Sequence, residues 1–178
     1  FDGGLEVSGE LLVSNGAYVE TPDVLSGDIH IDNASLKALS VTANNIVLSN
    51  ATLNTEVVTA SNNLTLEADA ILTTLDATST TLYGLSLSVG NAMTVAETAV
   101  INVDGKGYPN ADYYGPAFGQ SSTWSSSHGG NRRHYQERAY GRYERARFAG
   151  AAGTANGASY PAQGGGIVEI YAASLQLD

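Results

Sequence analysis

The chain has 178 residues, 15% of them charged, and a formal net charge of −10. That balance excludes the basic footprint nucleic-acid phosphates demand, and the absence of cysteine excludes disulfides and thiolate metal sites. No apolar run approaches the roughly 20 residues that span a bilayer, so a membrane span is not expected.

Four segments superimpose at a step of 17 or 18 residues: Leu11-Leu12-Val13-Ser14-Asn15, Ile29-His30-Ile31-Asp32-Asn33, Ile46-Val47-Leu48-Ser49-Asn50 and Leu64-Thr65-Leu66-Glu67-Ala68. A fixed period of this length marks a solenoid. The alternation within each run, Ile29 and Ile31 against His30 and Asp32 for example, is that of a strand with one buried face. A second strand per coil is predicted at Ala17-Tyr18-Val19, Ser35-Leu36, Thr52-Leu53 and Ile71-Leu72. A third is predicted at Val24-Leu25, Leu39-Ser40-Val41, Val57-Val58 and Leu75. Coils therefore run over about 10–27, 28–44, 45–62 and 63–84, with a looser fifth over 85–104. Three short strands per coil predict an all-β chain, a right-handed parallel β-helix whose coils stack about 4.8 Å apart.

Asn15, Asn33 and Asn50 recur at equivalent corners. Stacked Asn side chains can bond to one another along an axis, and Asn tolerates the left-handed backbone of a tight corner. The competing reading is glycosylation, because Asn33-Ala34-Ser35, Asn50-Ala51-Thr52 and Asn63-Leu64-Thr65 all match the acceptor pattern. The ladder is preferred, since an inward or stacked Asn is unavailable to a glycan.

Charge divides the chain where the totals hide it. Residues 1–107 carry thirteen acids against Lys37 and Lys106, whereas 108–150 carry six arginines against Asp112, Glu137 and Glu144. Nine of the fourteen aromatic residues lie between Tyr108 and Phe148, so two different objects are joined in one chain. The organisation expected is solenoid coils over 1–107, an aromatic and basic arm over 108–163, and closing solenoid strands over 164–178. An arm this long without alternating strands is functional or disordered. Gln136, Glu137, Ala139, Glu144 and Ala146 are compatible with a short helix between His134 and Phe148, against which Gly141 counts.

The stretch Ile101-Asn102-Val103-Asp104-Gly105-Lys106-Gly107-Tyr108-Pro109, with Ser127-His128-Gly129-Gly130, Ala139-Tyr140-Gly141 and Gly164-Gly165-Gly166-Ile167-Val168-Glu169-Ile170-Tyr171-Ala172, resembles a known module. It is similar to the glycine-rich insertion module of large, repetitive bacterial surface and secreted proteins that carry a pectin-lyase-like parallel β-helix. The resemblance covers about residues 100–178 closely, and 1–100 only as generic coils. It implies an extracellular adhesive, matrix or surface-layer role without a defined reaction. The arm departs from the family's mostly Gly and Ala loops by its Arg132, Arg133, Arg138, Arg142, Arg145 and Arg147.

Catalytic groupings are sparse. Glu10, Asp28 and Asn45 form one loose set at a one-coil spacing. His30, His128 and His134 lack metal-ligand spacing, and no Ser sits in a nucleophile elbow. Enzymatic activity and cofactors are therefore not expected. Asp104, Asn110 and Asp112 flank a Gly-rich turn that could hold calcium, though ordinary turn chemistry is preferred. The candidate contact residues are Tyr113, Tyr114, Trp124, Arg132, Arg133, Tyr135, Arg138, Tyr140, Arg142, Tyr143 and Arg145. Aromatic and Arg side chains of this kind dominate protein interfaces, and they also stack on sugars and pair with acidic glycans.

The chain opens Phe1-Asp2-Gly3-Gly4 with neither an initiator Met nor a signal peptide, and it closes on Leu175-Gln176-Leu177-Asp178. It reads as a mature chain or an excised segment. Two open, complementary ends predict head-to-tail stacking with copies of itself or with adjacent β-helix modules. The expected function is thus a non-enzymatic extracellular filament or adhesin-stalk subunit, with the arm as inter-subunit clasp or matrix contact. A carbohydrate-binding or polysaccharide-degrading β-helix is the alternative.

Overall fold

A computed structural model describes residues 3–78, 81–107, 149–150 and 164–178. These residues contain nine strands and no helix: β1 (Leu5–Ser14), β2 (Tyr18–Glu20), β3 (Asp23–Asp32), β4 (Ser35–Ser49), β5 (Thr52–Leu66), β6 (Ile71–Thr73), β7 (Leu85–Val95), β8 (Val100–Asn102) and β9 (Val168–Leu177). Every pairing among them is parallel.

The registers place apolar residues in rows that cross the strands. One row is Leu11, Ile29, Ile46, Leu64, Met93 and Leu175. A second is Val19, Leu36, Leu53, Leu72 and Ile101. A third is Leu5, Val24, Val41, Val58, Leu87 and Ile170. Ile29, Ile46, Leu64 and Met93 are each at most 1% exposed, as are Leu36, Leu53 and Leu72. Burying such side chains is worth about 1.5–3 kcal/mol each, which makes these rows the main source of cohesion.

The strands are longer than the sequence suggests. β4 and β5 each run 15 residues without a break, where three short strands per coil were expected. Within β4 the buried positions are Leu36 and Ala38, then Val41 and Ala43, then Ile46 and Leu48. Alternation slips by one residue at Leu39-Ser40 and again at Asn44-Asn45. Because side chains alternate with a period of two, each slip keeps the same side buried only if the strand bends there. Sequence patterning reads those slips as strand ends, whereas β4 runs through both as one strand, its pairing with β5 skipping Leu39 and shifting register between Ala43 and Asn45.

Polar groups are recruited at the bends. Buried Ser26 donates from Oγ to the carbonyls of Gly9 (3.0 Å) and Asp28 (2.8 Å). Thr55, also buried, donates to the carbonyls of Leu39 and Val57, both at 3.2 Å. Each hydroxyl serves a carbonyl of the preceding strand and one two residues on, where an unmet buried acceptor would cost about 1–3 kcal/mol. At the β7 bend a side chain on Gly90 would run into the Ser61 carbonyl.

The fourth and fifth coils differ from the expected boundaries. Leu75 does not supply the third strand expected for the fourth coil; that place is taken by β7, whose Ser86–Val89 stretch pairs with Val57–Ala60 of β5. The fourth repeat thus extends past residue 84, and 85–89 do not open a fifth. From the second row to the third takes five residues at Val19–Val24, Leu36–Val41 and Leu53–Val58. It takes fifteen at Leu72–Leu87 and sixty-nine at Ile101–Ile170. Both insertions therefore enter at the same point of the repeat, on consecutive repeats.

Two compact units result. One is Phe1–Leu75, Leu85–Asn102 and Val168–Asp178; the other joins the two insertions, Asp76–Gly84 and Val103–Ile167. Among the described residues no helix is long and apolar enough to cross a membrane.

Candidate functional site

Three polar constructions stand out on this frame, and the first is a side-chain ladder. Asn45 donates from its backbone N and from Nδ2 to Asp28 Oδ1, at 3.0 and 2.9 Å. Asn62 and Asn63 donate to Asn45 Oδ1 at 3.0 and 3.1 Å. Asn91 Nδ2 and the Ala92 N–H donate to Asn63 Oδ1 at 3.0 and 3.3 Å. The amides all point one way, toward the Asp28 carboxylate, so each bond polarises the next. Glu10 pairs in register with Asp28, which joins the set Glu10, Asp28 and Asn45 to this row. Its signal in the sequence is the pair just ahead of each inward residue: Gly27-Asp28, Asn44-Asn45 and Asn62-Asn63. Reading each run from its trailing Asn draws attention to the opposite corner.

That opposite corner is built differently. Asn15, Asn33, Asn50 and Asp69 all hold positive φ, from 47° to 59°. Asn and Asp tolerate this region, which costs most other side chains more. Here the side chains interact little. Asn50 Nδ2 donates to Asn33 Oδ1 at 3.3 Å, while Asn15 Nδ2 turns to Ser14 Oγ at 3.1 Å. All three Asn are exposed, whereas Asn63 is half-buried.

The third construction is the root of the long insertion. Gly166 N donates to Val103 O (2.8 Å), Gly107 N to Gly164 O (2.7 Å) and Gly150 N to Gly165 O (2.8 Å). A side chain on Gly107 would collide with the carbonyls of Gly150 and Gly165, so the chain segments of the root approach as only glycine permits. Lys106 Nζ bonds Asp76 Oδ1 at 2.5 Å, with the Lys106 side chain 16% exposed. The short insertion thus supplies the counter-charge for the root of the long one, a link invisible at a separation of 30 residues.

Asp104 and Gly105 belong to a turn closed by Lys106 N on Val103 O (3.2 Å), with Gly105 at φ 67°. Asn110 and Asp112 lie outside the described residues, and among those described no group of three His, Cys, Asp or Glu could hold a metal ion. The contact candidates Tyr113, Tyr114, Trp124, Arg132, Arg133, Tyr135, Arg138, Tyr140, Arg142, Tyr143 and Arg145, and the helix expected over 134–148, lie outside the described residues too.

An exposed cluster at the start of the second row carries the shifted titrations. Lys37 Nζ meets Glu20 Oε1 at 2.8 Å, and Tyr18 Oη donates to Glu20 Oε2 at 2.8 Å. The Lys37 bond, with the Tyr18 bond behind it, holds the Glu20 carboxyl below its ordinary range; the bond to Glu20 raises the Tyr18 phenol. A carboxyl depressed on folding adds stability that is present above its unfolded pKa and fades as pH falls through the folded one. Lys37→Met is expected to move the Glu20 midpoint upward in a carboxyl-detected NMR titration. The gain in stability near neutral pH should be small, as for any exposed pair. A groove of about 470 Å³ runs beside this pair, over Pro22, Leu39 and Leu75.

No family model, curated protein or solved structure matches the chain.

Proposed function

We propose that the chain is a right-handed parallel β-helix serving as a non-enzymatic extracellular structural unit, a filament or adhesin-stalk subunit. Three apolar rows recurring through bends that keep one side buried support winding, and parallel connections within one sheet are overwhelmingly right-handed. A solenoid unit stacks on its neighbours through strand edges.

One observation carries the reading. Leu175 and Leu177 of β9 occupy the positions of Met93 and Val95 one strand earlier, yet are 50% and 70% exposed where those are 0% and 9%. A further coil laid on β9 would bury both. β1 is the same length as β9, ten residues, and carries Leu11 and Val13 at the matching positions. That coil comes from a second copy or from an adjoining β-helix module. The Tyr- and Arg-rich arm acts as clasp to the acidic coils of a neighbour or as contact to matrix.

Negative-stain micrographs and sedimentation velocity of the purified protein test this. Rods lengthening with concentration are expected, and Leu175→Lys with Leu177→Lys should disperse them. Monodisperse single chains at high concentration would overturn self-stacking. Release of oligosaccharides from an acidic polysaccharide, lost in Arg132→Ala or Arg133→Ala, would instead favour the carbohydrate-active alternative.

A further inference from the structure

We infer that this chain carries an N-glycan acceptor site at the corner formed by Asn33 and Asn50, and that the third matching tripeptide, at Asn63, is structural. The inference rests on the extracellular reading above for its setting, but on the geometry for its choice of residue.

The three tripeptides are alike in sequence and unlike in place. Asn63 is half-buried; its Nδ2 is committed to Asn45, and its Oδ1 accepts from both Asn91 and the Ala92 backbone. A sugar on that nitrogen would wedge open the ladder. Asn33 and Asn50 are exposed and stand at turns outside the strands, both at φ 47°. Among the described residues Asn33 Nδ2 has no hydrogen-bond acceptor, and Asn50 Nδ2 has only the long 3.3 Å contact to Asn33. An N-linked amide keeps one N–H, so modification leaves Asn50 a donor.

The hydroxyls two residues on point the same way. Ser35 and Thr52 pair with each other in a row whose other members are Tyr18, Ile71 and Val100. The row accepts aromatic and branched apolar side chains, so packing does not demand a hydroxyl. Ser and Thr stand there in the two coils whose corner Asn lies two residues earlier. In the next coil, where the corner is Asp69, the position is Ile71. Positive φ explains why these corners are Asn or Asp; it does not explain the hydroxyls.

The donor class is an oligosaccharide linked to a lipid diphosphate. Asn Nδ2 bonds to the anomeric carbon, the bond from that carbon to the diphosphate oxygen breaks, the lipid diphosphate leaves with the electron pair, and Nδ2 gives up one proton. Adjacent strands lie about 4.8 Å apart, too close for two substituted sugars side by side. One glycan per pair is therefore expected, chiefly on Asn33, whose nitrogen is not engaged.

Folded, purified protein incubated with an oligosaccharyltransferase and a lipid-diphosphate oligosaccharide tests the assignment, read by intact mass and peptide mapping. The expected result is one added glycan, on Asn33 or Asn50. It should vanish in the Ser35→Ala, Thr52→Ala double variant, which keeps both corner Asn residues, and persist in Thr65→Ala. An unmodified chain, or a glycan on Asn63, would overturn the inference. Recovery of the native protein solely from inside cells would defeat the extracellular reading while leaving the acceptor result standing.

Discussion

Leu64→Ala is expected to lower unfolding free energy by about 2–5 kcal/mol, in the range of buried Leu truncations that leave a cavity. Leu64 is 0% exposed, in a row between Ile46 and Met93, which are equally buried. Truncation leaves both neighbours facing a void, and the parallel ladder on either side resists collapse because its backbone spacing is set by hydrogen bonds. Val57 is the control: it lies in the same strand but is 37% exposed, and Val57→Ala should stay within about 0.5 kcal/mol. Urea unfolding followed by far-UV circular dichroism distinguishes the two. A Leu64→Ala midpoint no different from that of Val57→Ala would refute the placement of the apolar rows.

Asn63→Ala should be nearly as damaging, at about 2–4 kcal/mol, although it removes no apolar surface. Its amide makes three bonds: one to Asn45 and two received from Asn91 and Ala92. Each is worth about 0.5–1.5 kcal/mol, and stranding the part-buried Ala92 N–H adds a desolvation cost. Asn63→Asp separates donor from acceptor. The carboxylate still accepts from Asn91 and Ala92 but cannot donate to Asn45, so a smaller loss than for Ala is expected. The comparison is Asn33→Asp, which keeps a residue suited to positive φ and still accepts the 3.3 Å contact from Asn50 Nδ2; it should be nearly silent. Equal losses at the two sites would mean that both corners are held by side-chain bonding.

The difference between those corners shows what a sequence can convey. Its period identified a buried row: Leu11, Ile29, Ile46 and Leu64 can be aligned by eye, and they do lie in one row. The left-handed corners were legible as well, because positive φ narrows the choice to a few residue types, and Asn15, Asn33 and Asn50 are among them. Which corner carries the bonded ladder was not legible. Asn50 and Asn63 are the same residue in the same tripeptide pattern, and the direction in which an amide points depends on the strand beside it.

Insertions escape periodic reading for a related reason. The ten extra residues near Asp76 blur the repeat, so spacing assigns to Leu75 a place that β7 takes instead. Only pairing across the sheet shows that both insertions enter at one point of the repeat, and that Asp76 reaches Lys106.

By itself, then, the amino-acid sequence determined an all-β chain with a 17–18-residue step, because hydrophobic alternation and corner residues are local properties of the backbone. The tertiary structure decided which strands pair across the insertions, which Asn amides are engaged and which stand free, and how Gly107, Gly150 and Gly164–Gly166 close the root of the arm. Those are relations between residues distant in the chain, and hydrogen bonds of about 3 Å distinguish partners that spacing alone leaves equivalent.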